Sequence, residues 1–351
     1  MKKLAKKIEK LAKKAVFAML GNASLARQEL PVTALQDISR IIVVRPNYRI
    51  GNAILSTAII APLQERFPDA KIDFLVTDKT ASLFANLPVN QVLAVSRSMI
   101  WQPWRAFSIV RSLRITRYDL AVQLAPSSLS GLLMSKVLGA RYVMGKPRGN
   151  ADWYDIKVRD PIDHAYDAGP AFSRALGTVD PAKTRLVLSD QEVARAFEQL
   201  KALAQVANGN NTVEPFVAVF VGGHADKVCP LLFWLALIRD LNQKGKRFVV
   251  FVGPEEKQMM PHLQKALEEL PHGKLCPPQP LRVFAAMLAQ ASLMITPDSG
   301  PMHMVAAMGV PVVAMVRARK SLVFIPPGAT SHVVNDLNNL PQVFAAVLSR
   351  H

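Results

Sequence analysis

"LMITPDSGPMHMVAAMGVPVVAMV", residues 293–316, runs as a strand, a turn, a short helix and a second strand. The apolar run ends at Pro297, and Asp298-Ser299-Gly300 turns the chain. Pro301 then stands where a helix can begin without losing a needed donor. Gly309 ends that helix and Pro311 opens the next strand. The unpaired N–H groups of such a helix start form an anion site, and His303 falls in its first turn. Gly300 lets the backbone come close to a ligand. An ordinary helix capped by Asp298 accounts for the same residues equally well.

The same alternation extends in both directions. Towards the N-terminus, "RIIVVRP", "KIDFLVT", "VLAVS", "YDLAVQL" and "RYVMG" read as strands, with helices expected at 53–67, 80–87, 103–115 and 127–138. Helices at about 164–176 and 190–206 follow, and then "NGNNTVEP", a cluster of turn residues without periodicity that reads as a linker. A second series begins with "FVAVFVG" and "RFVVFVG" and ends with "LMITP" and "VPVVAMV", with helices at 230–243, 255–269, 280–291 and 301–308. Strands alternating with helices give parallel sheets covered on both faces. The expected fold is therefore α/β of the GT-B type, two Rossmann-like domains facing a central cleft. The expected division is a basic segment at 1–38, a first domain at 39–207 and a second at 208–351. With 351 residues, half of them apolar, the chain is long enough for two cores.

Charge and cysteines narrow the chemistry. A net charge of +17 calls for an anionic partner: nucleic acid, an acidic membrane surface or a phosphorylated substrate. No aromatic-basic motif of a nucleic-acid module accompanies the charge, so no nucleic acid is expected. Cys229 and Cys276 are the only cysteines, with no CxxC or His/Cys cluster, so neither a disulfide framework nor a structural metal site is expected. In "MKKLAKKIEKLAKKAVFAMLG" the residues Leu4, Ile8, Leu11, Ala15 and Met19 recur at helical spacing, and seven lysines between Lys2 and Lys14 fill the other face. This basic amphipathic helix would lie on an anionic bilayer through residues 2–20, or pack as a solvated helix on the fold. No run reaches the roughly 18 apolar residues of a spanning helix. The protein is expected to sit on a membrane without crossing it.

At the motif level the chain resembles the lipopolysaccharide heptosyltransferases of glycosyltransferase family 9. Their C-terminal hallmark is Asp-Ser/Thr-Gly, two residues, His, then Ala-Ala and Gly-x-Pro. Asp298, Ser299, Gly300, His303, Ala306, Ala307, Gly309 and Pro311 match it in order. "RPNYRIGNAILSTAIIAPLQERFPDAKIDFLV", from residue 45, resembles the family's N-terminal signature. "GGHADKVCP" resembles its lysine-bearing loop, "VGPEEK" its Gly-x-Pro-x-Glu segment, and "HAYDAGPAFSRALG" the helix leading out of the acceptor domain. The likeness covers about residues 40–325.

The resemblance implies transfer of a heptose from ADP-heptose to a hydroxyl of the lipid A-linked core, with inversion and no obligatory metal or other cofactor. It also implies a peripheral position on the cytoplasmic face of the inner membrane, and says nothing of oligomeric state. By the same resemblance, Lys227 would stabilise the leaving diphosphate. His224, Lys227, Glu256, Asp298, Ser299, Gly300 and His303 would hold the donor, while Arg45, Arg49 and Gly51 would face the acceptor. Glu256 read alone could be an exposed helix start favouring the dipole, and Lys227 a solvated loop lysine.

Asn52 stands where family members commonly carry Asp, taken as the general base. An amide can orient a hydroxyl but cannot accept its proton near neutral pH. Three readings follow: a subgroup with another base, transfer with little base assistance, or a catalytically silent relative that binds a nucleotide sugar or lipid core. A second departure is "VRARKS" at 316–321, where the family often continues Phe-Gly-Pro-Thr, which leaves room for a different donor sugar. His164, His224, His262, His272 and His332 are too scattered for metal spacing, so packing or surface roles are expected. The "MIWQPWRAF" cluster with Trp101, Trp104 and Arg105 reads as a buried aromatic helix start, or alternatively as an acceptor or membrane contact.

Overall fold

The computed structural model describes residues 27–96, 103–124, 134–135, 137–147, 153–204 and 214–334. The basic helix expected at 2–20, most of the linker expected at 208–215, and Trp101 lie outside the described residues. Two six-stranded parallel sheets organise the rest.

In the first sheet β1 (Arg40–Val44), β2 (Lys71–Thr77), β3 (Gln91–Val95), β4 (Leu120–Gln123), β5 (Tyr142–Gly145) and β6 (Ile156–Lys157) lie in the order β3-β2-β1-β4-β5-β6. In the second, β7 (Val217–Phe220), β8 (Phe248–Phe251), β9 (Gly273–Cys276), β10 (Leu293–Pro297), β11 (Val312–Val316) and β12 (Thr330–Val333) lie in the order β12-β11-β10-β7-β8-β9. Central strands are Val/Ile-rich because both faces are covered. Successive residues alternate between faces: Ile41 and Val43 pack into one core, Ile42 and Val44 into the opposite one. Val217 and Val219 likewise face one core of the second sheet, while Ala218 and Phe220 face the other. These are the two Rossmann-like halves of a GT-B arrangement.

The strands are joined by α1 (Ile50–Ser56), α2 (Ile60–Arg66), α3 (Pro103–Thr116), α4 (Ala168–Leu176), α5 (Asp190–Ala204), α6 (Leu231–Gln243), α7 (Met260–Leu267), α8 (Leu281–Leu288) and α9 (Gly300–Ala307). The single helix expected at 53–67 is broken by a 3-10 turn at Thr57–Ile59. Pro62 has no N–H for the carbonyl of Ala58, and the hydroxyls of Ser56 and Thr57 donate back to the Ala53 and Ile54 carbonyls at 2.6 and 2.7 Å. The helix expected at 80–87 is only a 3-10 turn, Ala81–Phe84, followed by Asn86 at φ 64°. On α3, Trp104 is 66% exposed, so the buried aromatic start expected there is not what forms.

Contacts between the two halves are apolar and close. Ala285 of α8 and Met304 of α9 are buried in the same cluster as β1 and β2 of the first sheet. In the other direction, Ala196 and Leu200 of α5 pack with the second sheet. Arg282 of α8 holds Glu192 of α5 in a bidentate ion pair, and the Glu192 carboxyl is depressed to about 2, chiefly by that guanidinium.

Candidate active site

Each sheet has one place where the strand order reverses, between β1 and β4 in the first and between β7 and β10 in the second. Crevices at the carboxyl ends of strands open at such switch points. The loops carrying the sequence motifs leave these strands: residues 45–49 follow β1, 221–224 follow β7, 252–256 follow β8 and 298–299 follow β10.

On the second sheet the start of α9 leaves its first amides without a side-chain cap. Ser299 is the N-cap of α9 with an extended backbone, but its hydroxyl bonds Thr296 Oγ1 at 2.9 Å instead of capping the helix. With Pro301 in the first turn, the amides of Gly300 and Met302 receive no side-chain cap. Asp298 is not the cap either. It is buried and paired with Lys227, Oδ2 to Nζ 2.5 Å, and that ammonium also lies 5.1 Å from the ring centroid of Phe324. Lys227 is thus held by a carboxylate and an aromatic face, not free in solvent. It ends a 3-10 turn, Ala225–Lys227, whose Asp226 is in turn ion-paired with Lys320, which lowers the Asp226 carboxyl.

Glu256 folds back over the glycines that end β7 and β8. A Cβ placed on Gly253 would lie 2.4 Å from Glu256 Oε2, and one on Gly222 2.8 Å from Glu256 Cδ. Only glycine leaves room there. Burial raises the Glu256 carboxyl, opposed by an amide hydrogen bond from Gly223. Glu256 is at a helix start, the N-cap of the 3-10 turn Lys257–Met259, but its side chain is half-buried and folded back over the strand ends instead of exposed. His224, by contrast, is exposed, and its carbonyl accepts from the Lys227 amide at 3.2 Å.

His303 connects the two halves. Its ring lies against Gly51 of α1, where an added Cβ would be 2.4 Å from Cδ2, and Gly300 meets Ile50 just as closely, at 2.7 Å. Nδ1 is 2.8 Å from the Tyr166 hydroxyl, and the two rings stack with centroids 5.6 Å apart. Burial drives the imidazole down to about 4, against the pull of Asp298, so His303 is neutral at pH 7. Burial also raises the Tyr166 hydroxyl, keeping it a donor.

On the first sheet a cavity of about 520 Å³ opens beside these groups, lined by Arg45, Asn52, Lys146, Asp163 and His164, and closed by Val323 and Phe324 from the second half. Arg45 is buried and pushed down to about 10 by desolvation, so it remains a cation, with one long bond from Nη1 to the Leu124 carbonyl at 3.4 Å. Arg49 is exposed and does not line this cavity. The sequence motifs thus bring together Lys227 with Asp298, and Gly51 with His303, while Arg49 and His224 stay at the surface. Tyr166, Asp163, Lys146 and Phe324 were not singled out from sequence, and His164, expected only to pack or face solvent, caps a 3-10 turn and lines the cavity. Tyr166, His164 and Asp163 sit in or beside "HAYDAGPAFSRALG", whose pattern was noted for its helix alone. Among the described residues no group of three or more His, Cys, Asp or Glu side chains is placed to hold a metal ion. No helix among them is long and apolar enough to cross a membrane.

Residues 106–343 match the model of glycosyltransferase family 9 (heptosyltransferase). The chain belongs to glycosyltransferase family 9. It is therefore a glycosyltransferase. Family 9 relatives include the lipopolysaccharide heptosyltransferase 3 of Escherichia coli K12, 22% identical over 294 residues that cover 81% of either chain. The lipopolysaccharide core heptosyltransferase OpsX of Haemophilus influenzae is 20% identical over 305 residues, 84% of this chain and 82% of its own. Among solved family 9 structures, one from Veillonella parvula superposes with a TM-score of 0.71 at 18% identity, covering 88% of this chain and 89% of its own. The Escherichia coli ADP-heptose heptosyltransferase II superposes at 0.67 and 20% identity, covering 89% and 99%. A structure of an Escherichia coli heptosyltransferase with ADP superposes at 0.66 and 19% identity, covering 89% and 98%.

Proposed function

We propose that this protein moves a heptose from ADP-heptose to a hydroxyl of the lipopolysaccharide inner core, with inversion at the anomeric carbon and without a metal. The observation that carries the proposal is the meeting of two loops. The helix start at Asp298–His303, armed with Lys227, abuts the first turn of α1 at Gly51, and Asn52 beside it lines a cavity holding two cations. A diphosphate seated on the Gly300 and Met302 amides would have Lys227 beside the oxygen that gains charge as the sugar leaves, the task a metal performs elsewhere. Asp298 would hold the ammonium in place rather than touch the donor, since a carboxylate beside phosphate is repelled. Glu256 would receive the ribose or adenine, and Ser299 and His303 would line the phosphate seat. Neutral His303 is suited to donate from Nε2 without adding charge.

Arg45 and Lys146 suit an acceptor that carries carboxylate or phosphate, as a lipid A-linked core does. The unit at 39–207 would present this acceptor and the unit at 208–351 the donor, with α5 docked across onto the second sheet. The protein would work on the cytoplasmic face of the inner membrane, held there by residues 2–20. Incubation of the purified protein with ADP-heptose and a heptose-deficient core, with and without a chelator, tests the proposal by ADP release and product mass. Nuclear magnetic resonance of the product reads the anomeric configuration. Asn52 favours a second reading, a binding-only relative, for which ADP-heptose binds and no ADP is released. A product of another mass would mean a different sugar.

A further inference from the structure

The proton of the acceptor hydroxyl needs a destination that Asn52 does not offer. Among the side chains lining the cavity, Lys146, Asp163 and His164 contain groups capable in principle of taking it. Lys146 donates from Nζ to the carbonyl of Asp160 and so acts there as a cation. His164 is committed differently. It caps the 3-10 turn at Ala165–Asp167: its Nδ1 accepts from the Tyr166 amide at 3.3 Å, and its own amide donates to Asp167 Oδ2 at 2.8 Å. A ring that accepts at Nδ1 carries its hydrogen on Nε2, so it has no second lone pair to offer the acceptor proton. Asp163 remains. Its carboxylate has no hydrogen bond or ion pair with any described residue, and it shares the cavity wall with Asn52 and with the cations Arg45 and Lys146.

We propose that Asp163 is the general base of the transfer, doing from the segment after β6 what the family aspartate does from the loop after β1. The assignment rests on the sugar-transfer reading above. In the step, the acceptor O–H bond breaks and its proton passes to the Asp163 carboxylate. The acceptor oxygen bonds to the anomeric carbon as the bond from that carbon to the β-phosphate oxygen breaks. The electron pair leaves with ADP, and the proton is afterwards released to water. Asn52, which lines the same cavity, orients the hydroxyl through its amide.

The test measures kcat and KM for wild type, Asp163→Asn, and Asp163→Asn combined with Asn52→Asp, using ADP-heptose and a heptose-deficient core. Asp163→Asn should lower kcat by about 10²- to 10⁴-fold with the KM for ADP-heptose within about twofold, the range that positioned proton transfer contributes. The acidic limb of the kcat–pH profile should vanish with it. Placing aspartate at 52 in that background should recover at least about tenfold and restore an acidic limb, because a carboxylate base returns to the same cavity. Overturning results are a kcat for Asp163→Asn within a few-fold of wild type, a loss shared equally by ADP-heptose binding, or no recovery in the double variant. Wild-type protein that binds the donor and releases no ADP would overturn the transfer reading itself, and is recognised before any variant is made.

Discussion

Gly51→Ala is a one-carbon test of how the two halves meet. The new methyl would lie 2.4 Å from His303 Cδ2 and 3.0 Å from Nε2. Carbon contacts are comfortable at about 3.5–4.0 Å, so the ring must retreat by about 1 Å. It has nowhere to go, because His303 is only 5% exposed and its Nδ1 is tied to the Tyr166 hydroxyl at 2.8 Å. Forcing a methyl into such packing costs about 1–3 kcal/mol. Stretching the Tyr166 bond by that amount forfeits about 1 kcal/mol more. Alanine's better helix propensity returns at most about 1 kcal/mol in α1. The net expectation is a loss of about 1–3 kcal/mol, borne by the junction between the halves and not by either sheet. Equilibrium urea denaturation of wild type, Gly51→Ala, Tyr166→Phe and the double variant measures it. With the hydroxyl gone the ring can yield, so the cost of the methyl should shrink by about 1 kcal/mol in the Tyr166→Phe background. A Gly51→Ala protein as stable as wild type, or a cost indifferent to Tyr166, would refute the reasoning.

Four further outcomes are expected. Calorimetry with ADP should show Lys227→Ala and Asp298→Ala weaker than wild type by about 1.5–3 kcal/mol, and three equal affinities would remove the donor seat. Because burial holds His303 at about 4 in the folded protein while the unfolded chain protonates near 6.5, acid favours the unfolded state: stability should fall from pH 6.5 towards 4 and then level, by about 2 kcal/mol at pH 5. His303→Gln should lack that drop between pH 6.5 and 4.5, and an identical drop in the variant would contradict the assignment; the Glu192 pair, lowered from 4.5 to about 2, loses its contribution as pH falls below 4.5 and through 2. Asn52→Ala should slow transfer by less than about tenfold and Asn52→Asp should match or exceed wild type, whereas a loss of about 10²-fold or more in the alanine variant would make Asn52 more than an orienting group. Deleting residues 2–20 should release the protein from anionic vesicles and leave ADP binding intact, with wild-type binding weakened by salt over a Debye length of about 8 Å; unchanged vesicle binding would end the membrane role.

Most strands legible in the sequence are those buried on both faces: β1, β2, β4, β5, β7, β8, β10 and β11 announce themselves as apolar runs because helices cover both sides of the sheet, while β3, a half-buried edge strand, was legible from "VLAVS" alone. β6, β9 and β12 went unread. The two residues of β6 form one edge, and β9 and β12 lie at the two ends of their sheet order with half-buried positions, where no apolar run is required. The helix start was legible because it is coded locally, by Asp298-Ser299-Gly300-Pro301. The partnerships were not. Tyr166 and His303 are 137 residues apart, Lys227 and Asp298 are joined only by the adjacency of β7 and β10, and nothing local marks either pair. The capping role of His164 was hidden for another reason: histidine at an N-cap is uncommon, so "DHAYD" carries no helix-start signature of the usual Ser/Thr/Asp/Asn kind.

The departure at Asn52 gains meaning from where the cavity comes from. Its walls are supplied by the end of β1, by α1, by the loops after β4 and β5, by the segment between β6 and α4, and by the 3-10 turn at Arg319–Phe324 of the other half. The sheets fix only that these segments meet at the switch points; the side chains they carry are free to change without disturbing a strand. A carboxylate lost from α1 would have cost the base had the site been built on that helix alone. Here the opposing segment already presents Asp163, unpaired among the described residues, on the same wall as Arg45 and Lys146. Those two cations matter for more than binding. On the proposed reading, an acceptor anion held between them would bring its hydroxyl within reach of groups at both positions 52 and 163, so the base could be exchanged between segments that are 111 residues apart in sequence.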